Sequence, residues 1–214
     1  MSHQPSDLIP ARPTVSGLSR VIQQCEGCDL YHNATQAVMG EGPSKARVMF
    51  VGEQPGNDED LKGRPFVGPA GRILERALSD AGIPRETVYV TNAVKHFKFE
   101  ERGKRRIHKK PNAAEVSACM PWLAAEMLAV KPEIVVCLGA TAAQALLGRD
   151  HRLTKEHGTF RSRAGGPKIT STIHPSAVLR APDEDREAMY EGLVADLRKV
   201  QREMQPTKAL QAPR

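Results

Sequence analysis

Long apolar runs, aromatic residues and cysteines are all scarce in this chain, and each shortage closes off a class of protein. No apolar run approaches the ~20 residues needed to cross a bilayer. The N-terminus has no apolar stretch of the secretory-signal kind, so a soluble, cytoplasmic protein is expected. Aromatic residues make up 4% of the sequence, which leaves Ala, Val, Leu and Ile to build the core. Four cysteines in 214 residues are too few for a disulfide scaffold, which turns attention to metal binding.

Net charge is absent from most of the chain and concentrated in one place. The stretch Lys95–Lys110 (KHFKFEERGKRRIHKK) holds eight Lys/Arg against two Glu, a balance of +6 that equals the formal net charge of the whole protein. The other 198 residues carry 23 basic and 23 acidic side chains. A neutral body with one cationic loop predicts a polyanion gripped at one place. His108, near the end of that loop, carries a lone pair able to act at neutral pH.

The length fits one compact domain, expected over residues 16–203. Residues 1–15 and 204–214 are Pro-rich or polar and are expected to fray. Between them short apolar runs alternate with amphipathic segments. Strands are predicted at Arg47–Gly52, Thr87–Val94, Pro132–Leu138 and Lys168–Ile173. Helices are predicted at Pro69–Ala81, from an Asn112 cap to about Val130, at Ala140–Leu147 and at Asp183–Met204. Such alternation, with continuous rather than alternating apolar strands, predicts an α/β fold with a mostly parallel sheet covered on both faces. Ligands then bind outside the carboxyl ends of the strands. Those ends carry Gly52-Glu53-Gln54-Pro55-Gly56, Asn92, Gly139 and His174-Pro175-Ser176, four segments on one rim.

Several of these residues have two readings. Cys25-x2-Cys28, Cys119 and Cys137 lack the paired knuckles of a zinc ribbon, and four scattered thiolates suit a cubic iron–sulfur cluster held by cysteines. Cys137, inside an apolar strand, is equally a small buried hydrophobe. In Gly52–Gly71 (GEQPGNDEDLKGRPFVGPAG), Asp58, Glu59 and Asp60 read as a solvated loop face, whereas Glu53 follows the strand directly and should point into the rim. Phe66 is a core plug or a stacking platform. Asn92 caps a turn or reads a base edge. His174 is structural or catalytic, and His108 is one more phosphate contact or something more specific.

Taken together, GEQPG…GRPFVGPAGR, TNAVKH, the four cysteines and HPSAVLR resemble the uracil-DNA glycosylase superfamily, in its iron–sulfur branch called family 4. Lys104-Arg105-Arg106-Ile107-His108 resembles the loop that marks the X-type uracil-DNA glycosylases and that family 4 lacks. The resemblance covers about residues 20–203. It implies a three-layer α/β/α sandwich with a four-stranded parallel sheet, one [4Fe–4S] cluster on Cys25, Cys28, Cys119 and Cys137, and monomeric action on uracil in DNA, preferably single-stranded. Phe66 would stack on the uracil, Asn92 would bond its edge, His174 would stabilise charge on its O2, and Gly52, Glu53 and Gln54 would supply the catalytic motif. Lys95, Lys104, Arg105, Arg106, Lys109 and Ser176 would hold DNA. In X-type members the loop histidine, here His108, bonds covalently to the sugar C1′ after uracil departs.

Overall fold

The computed structural model describes residues 4–162 and 165–205. In chain order the elements are α1 (Pro5–Leu8), α2 (Val15–Val21), β1 (Val48–Gly52), α3 (Asn57–Lys62), α4 (Pro69–Asp80), β2 (Tyr89–Asn92), β3 (Phe99–Arg102), β4 (Arg105–His108), α5 (Ala113–Val130), β5 (Ile134–Leu138), α6 (Ala140–Leu147), α7 (Leu153–Glu156), β6 (Arg161–Ser162), β7 (Lys168–Thr172), α8 (Pro175–Arg180) and α9 (Asp183–Met204).

The main sheet runs β2-β1-β5-β7-β6. The first four are parallel, as expected, and β6 adds a two-residue antiparallel edge that sequence patterning does not reveal. Side chains alternate across the sheet and divide the core in two. Val48 and Phe50 face α4, α8 and α9, with Leu74, Leu78, Val178, Tyr190 and Leu193. Met49 and Val51 face α5 and α6, with Leu123, Ala142 and Ala143. Helices on both faces make the three-layer sandwich, and the order places a switch point between β1 and β5, where Gly52 ends one strand and Gly139 follows the other.

The Asn112 cap forms as read. Its side chain accepts from the Glu115 amide at 2.9 Å and Glu115 returns a bond from the Asn112 amide at 2.7 Å. The helix it starts, α5, corrects one expectation: by length and composition it is apolar enough to cross a membrane. Here it covers the sheet, with Trp122 and Leu123 fully buried and Glu126 buried in an ion pair.

Two further expectations change. The N-terminal segment contains α1, whose Pro5 is buried and lies against Gly27 so closely that a Cβ there would come 2.7 Å from the proline ring. The C-terminal tail from 206 lies outside the described residues. The basic stretch is a β-hairpin rather than a loop: β3 and β4 pair antiparallel, with Phe99 opposite His108 and Arg102 opposite Arg105, turning at Gly103 with φ 59°.

Candidate active site

The four strand ends converge on one open cavity of ≈ 880 Å³, lined among others by Glu53, Phe66, Asn92, His108, Thr141 and His174. Each wall follows from local chain geometry. Gly52 ends β1 because nothing larger fits: a Cβ would fall 2.3 Å from Asn92 Oδ1 and 2.8 Å from Phe66 Cζ. Phe66 itself sits at φ 56°, a left-handed conformation that costs a non-glycine residue on the order of 1–3 kcal/mol. The first turn of α4 holds it there, where a Cβ on Gly71 would collide with the Phe66 carbonyl at 1.7 Å. The strain presents the phenyl ring to the cavity, nearly parallel to the His174 imidazole with centroids 6.3 Å apart.

Asn92 is buried at the end of β2, and its side-chain amide has no protein partner among the described residues. That leaves a donor and an acceptor facing the cavity. The backbone behind it is fixed by Lys95, whose Nζ donates to the Asn92 carbonyl at 2.7 Å and to Thr91 Oγ1 at 2.7 Å. Lys95 also forms a fully buried ion pair with Glu126, which accepts further bonds from Tyr89 OH and the Gly40 amide. Lys95 is therefore not a DNA contact, because its charge is sealed inside the protein.

His174 caps α8. Its Nδ1 accepts from the Ser176 amide at 3.1 Å and bonds Ser176 Oγ at 2.7 Å, and that hydroxyl in turn accepts from Arg180 Nη1 at 3.0 Å. A backbone N–H on Nδ1 leaves the neutral ring's proton on Nε2. Burial first, then the nearby Arg180 and His108, push His174 down to about 4, so the ring is a neutral N–H donor at physiological pH. Ser176 serves as the brace of His174.

On the opposite wall, Glu53 Oε2 accepts a short hydrogen bond from Thr141 Oγ1, in the first turn of α6. Its other oxygen lies 3.5 Å from His108 Nε2. His108, at the end of β4, is half-exposed; burial lowers its pKa, the Glu53 charge raises it and Arg180 lowers it, with a net lowering. A neutral imidazole and a carboxylate thus meet over the cavity.

The hairpin carrying His108 is clasped at both ends. Gln54 Nε2 donates to the Lys98 and Lys109 carbonyls at 3.1 and 3.0 Å, and its Oε1 accepts from the Lys98 amide at 3.2 Å. The Gln54 amide is thus committed to the hairpin rather than to a ligand. Arg106 bonds Asp60 Oδ2 at 2.7 Å and Asn57 Oδ1 at 2.8 Å and lies over the Phe99 ring, so it too holds the hairpin instead of meeting DNA. Lys109 is ion-paired with Glu100, which leaves Lys104 and Arg105 as exposed cations at the hairpin tip. Glu59 and Asp60 are buried rather than solvated: Glu59 accepts from the Gly56 and Gly68 amides and shapes the loop leading to Phe66.

The cysteines divide into two groups. Cys28 is in hydrogen-bonding contact with the Cys119 thiol and the His96 imidazole; the Cys119 contact is the largest cause pulling Cys28 down to about 5, and the same contact pushes Cys119 up. Cys119 Sγ accepts from the Lys95 amide at 3.4 Å, and Cys25 Sγ accepts from Trp122 Nε1 at 3.1 Å. Cys137 instead packs among Met49, Val51, Leu123, Ala142 and Ala143, and its thiol is pushed up to about 12 by burial alone. Among the described residues, no set of three or more His, Cys, Asp or Glu is already drawn together around a single metal ion.

The sequence matches the family model described as the uracil DNA glycosylase superfamily over residues 39–198. The chain belongs to this superfamily. It is 40% identical over 164 residues to a type-4 uracil-DNA glycosylase of Thermotoga maritima, covering 76% of this chain and 82% of the relative. It is 37% identical over 180 residues to a type-4 uracil-DNA glycosylase of Archaeoglobus fulgidus, covering 79% and 85%. A type-5 uracil-DNA glycosylase of Pyrobaculum aerophilum is 34% identical over 152 residues, covering 63% of each. Within this superfamily domain the candidate residues Glu53, Phe66, Asn92, His108 and His174 meet at one cavity. Thr141 and Arg180 were missed, although GAT after a strand and an Arg four residues beyond Ser176 are visible in the sequence.

Proposed function

We propose that this protein removes uracil from DNA and then captures the abasic sugar on His108, as an X-type member of the superfamily. The observation that carries the reading is a half-exposed, neutral imidazole held over the cavity, 3.5 Å from a carboxylate that a threonine fixes in place. The type-4 relatives support excision, and the rim supports uracil as the base.

A target base inside a duplex cannot be reached, so the nucleotide is flipped or already unpaired, and single-stranded DNA is the cheaper substrate. Phe66 stacks on the uracil, and the free Asn92 amide pairs with its edge. As the N1–C1′ bond breaks, the electron pair goes to the uracil and spreads onto O2, where His174 Nε2–H donates. The sugar becomes oxocarbenium-like, and the Glu53 carboxylate stabilises it. The His108 lone pair then bonds to C1′, and its remaining ring proton passes to Glu53. Water is outcompeted because a tethered nucleophile has an effective concentration worth roughly 7 kcal/mol or more.

The cofactor implied by the resemblance is a [4Fe–4S] cluster. The chain fits it in part: Cys25, Cys28 and Cys119 stand in one lobe between the N-terminal segment, the loop after β2 and α5, while Cys137 stands apart. A cluster held there would pin those segments together, and the Cys25 and Cys119 sulfurs would keep the N–H donors Trp122 and Lys95.

Uracil-containing single-stranded oligonucleotide, incubated with the protein and run on a denaturing gel, tests the reading. A shifted band that survives SDS is expected. His108→Ser is expected to lose that band while still releasing uracil, and a band that persists in His108→Ser would refute the capture step. Many turnovers of free abasic product by the wild-type protein would mean that it is a conventional glycosylase, as the type-4 names alone suggest.

A further inference from the structure

Cys137 is the outlier of the cysteine set. It lies on β5, paired in register with Val51 and Ser171, and its side chain is buried in an apolar cluster, with no other cysteine in that cluster and no side-chain hydrogen bond among the described residues. The other three thiols share a lobe with a fourth group, His96. That residue directly follows Lys95, whose amide donates to Cys119. The His96 ring is 4% exposed, contacts Cys28, and keeps its Nδ1 buried with no hydrogen-bond partner.

An unsatisfied nitrogen in the interior costs about 1–3 kcal/mol, a cost that a ligand removes. Imidazole is an accepted iron ligand in place of cysteine in some iron–sulfur centres. Resting on the cluster reading above, we infer that the cluster is held by Cys25, Cys28, Cys119 and His96, and that Cys137 is a core residue. A cubane spans more space than a single ion, which is why this lobe can receive one without being closed around a metal position. The inference also explains how the cluster bears on the rim. His96 and Lys95 are adjacent, so one ligand and the clamp on Asn92 share a turn of chain.

The test uses the full chain as purified. In the wild-type protein, reduced to its paramagnetic state, pulsed EPR should show a strongly coupled, directly bound nitrogen. Cys137→Ser should keep its iron, sulfide and visible absorbance unchanged. His96→Cys should keep the cluster, lose the nitrogen coupling and move to a lower reduction potential, since imidazole ligation raises it. Brown wild-type protein without the nitrogen signal would overturn the assignment of His96. So would loss of iron from a soluble Cys137→Ser variant whose circular dichroism matches wild type. Colourless, zinc-bearing wild-type protein would be a different failure, that of the cluster reading itself.

Discussion

Two walls of the same cavity are built on different principles. The sheet rim places Asn92, Phe66 and His174 by sealing the chain behind them: a buried ion pair under Asn92, a strained backbone at Phe66 and a capped helix under His174. The hairpin places His108 by tying down two points, Gln54 at its base and Arg106 on its flank, and leaves the tip in solvent. The rim therefore acts as rigid recognition machinery, and the hairpin is an arm laid over it. On the proposed reading, base removal belongs to the first wall and capture to the second, so the two activities should be separable by mutation.

The largest effect is expected where the rim is sealed. Lys95→Ala leaves Glu126 charged and buried, and removing one partner of such a pair costs about 3–5 kcal/mol. Chemical denaturation should read that loss. Lys95→Ala should leave the salt dependence of DNA binding unchanged in whatever fraction is folded; a reduced salt slope would return Lys95 to the DNA surface. Next comes His174→Ala. Deleting one donor to a developing oxyanion costs on the order of 10²–10³ in rate, read as single-turnover uracil release. Adduct formation should fall in parallel, because capture follows excision. The donor is the neutral ring at about 4, so excision should not lose His174 as pH drops from 8 to 5. Capture needs His108 unprotonated, and its lowered pKa keeps it so to a pH below the usual histidine range. Adduct yield should therefore hold at neutral pH and fall only in acid; a maximum in acid would mean that the protonated ring is the active form.

Much of this division could be read in the sequence. Continuous apolar strands ending in Glu, Asn, Gly and His announce the rim, since strand burial and carboxyl-end placement follow from local pattern alone. The hairpin was legible only as charge. Lys95, Arg106 and Lys109 look identical to Lys104 and Arg105 in a count, and their partners, Glu126, Asp60 and Glu100, are set by tertiary approach. The partners of Gln54 are set in the same way: the motif resemblance assigns it a site role, and its side-chain amide turns to the hairpin while the residue still lines the cavity. Cys137 makes the same point, since a count of cysteines ignores which face of a strand each one occupies, and this one is packed in the apolar core.

Smaller effects sharpen the hairpin side. Arg106→Ala removes the bonds to Asp60 and Asn57 and frees the arm. Displacing a reacting group by about 1 Å can cost ~10²-fold, so adduct formation should slow by up to that factor while uracil release stays near wild type. Equal slowing of both would mean that the hairpin also shapes the recognition wall. Smallest of all is the tip. Lys104→Ala and Arg105→Ala each remove one exposed cation that has no ion pair among the described residues. If each meets one phosphate, the salt slope of single-strand binding falls by about 0.7 per substitution. Neither should change the rate of capture at saturating DNA, because neither touches His108 or Glu53. A change in that rate with the slope intact would move these residues from grip to positioning, and the tip would then belong to the same device as Arg106.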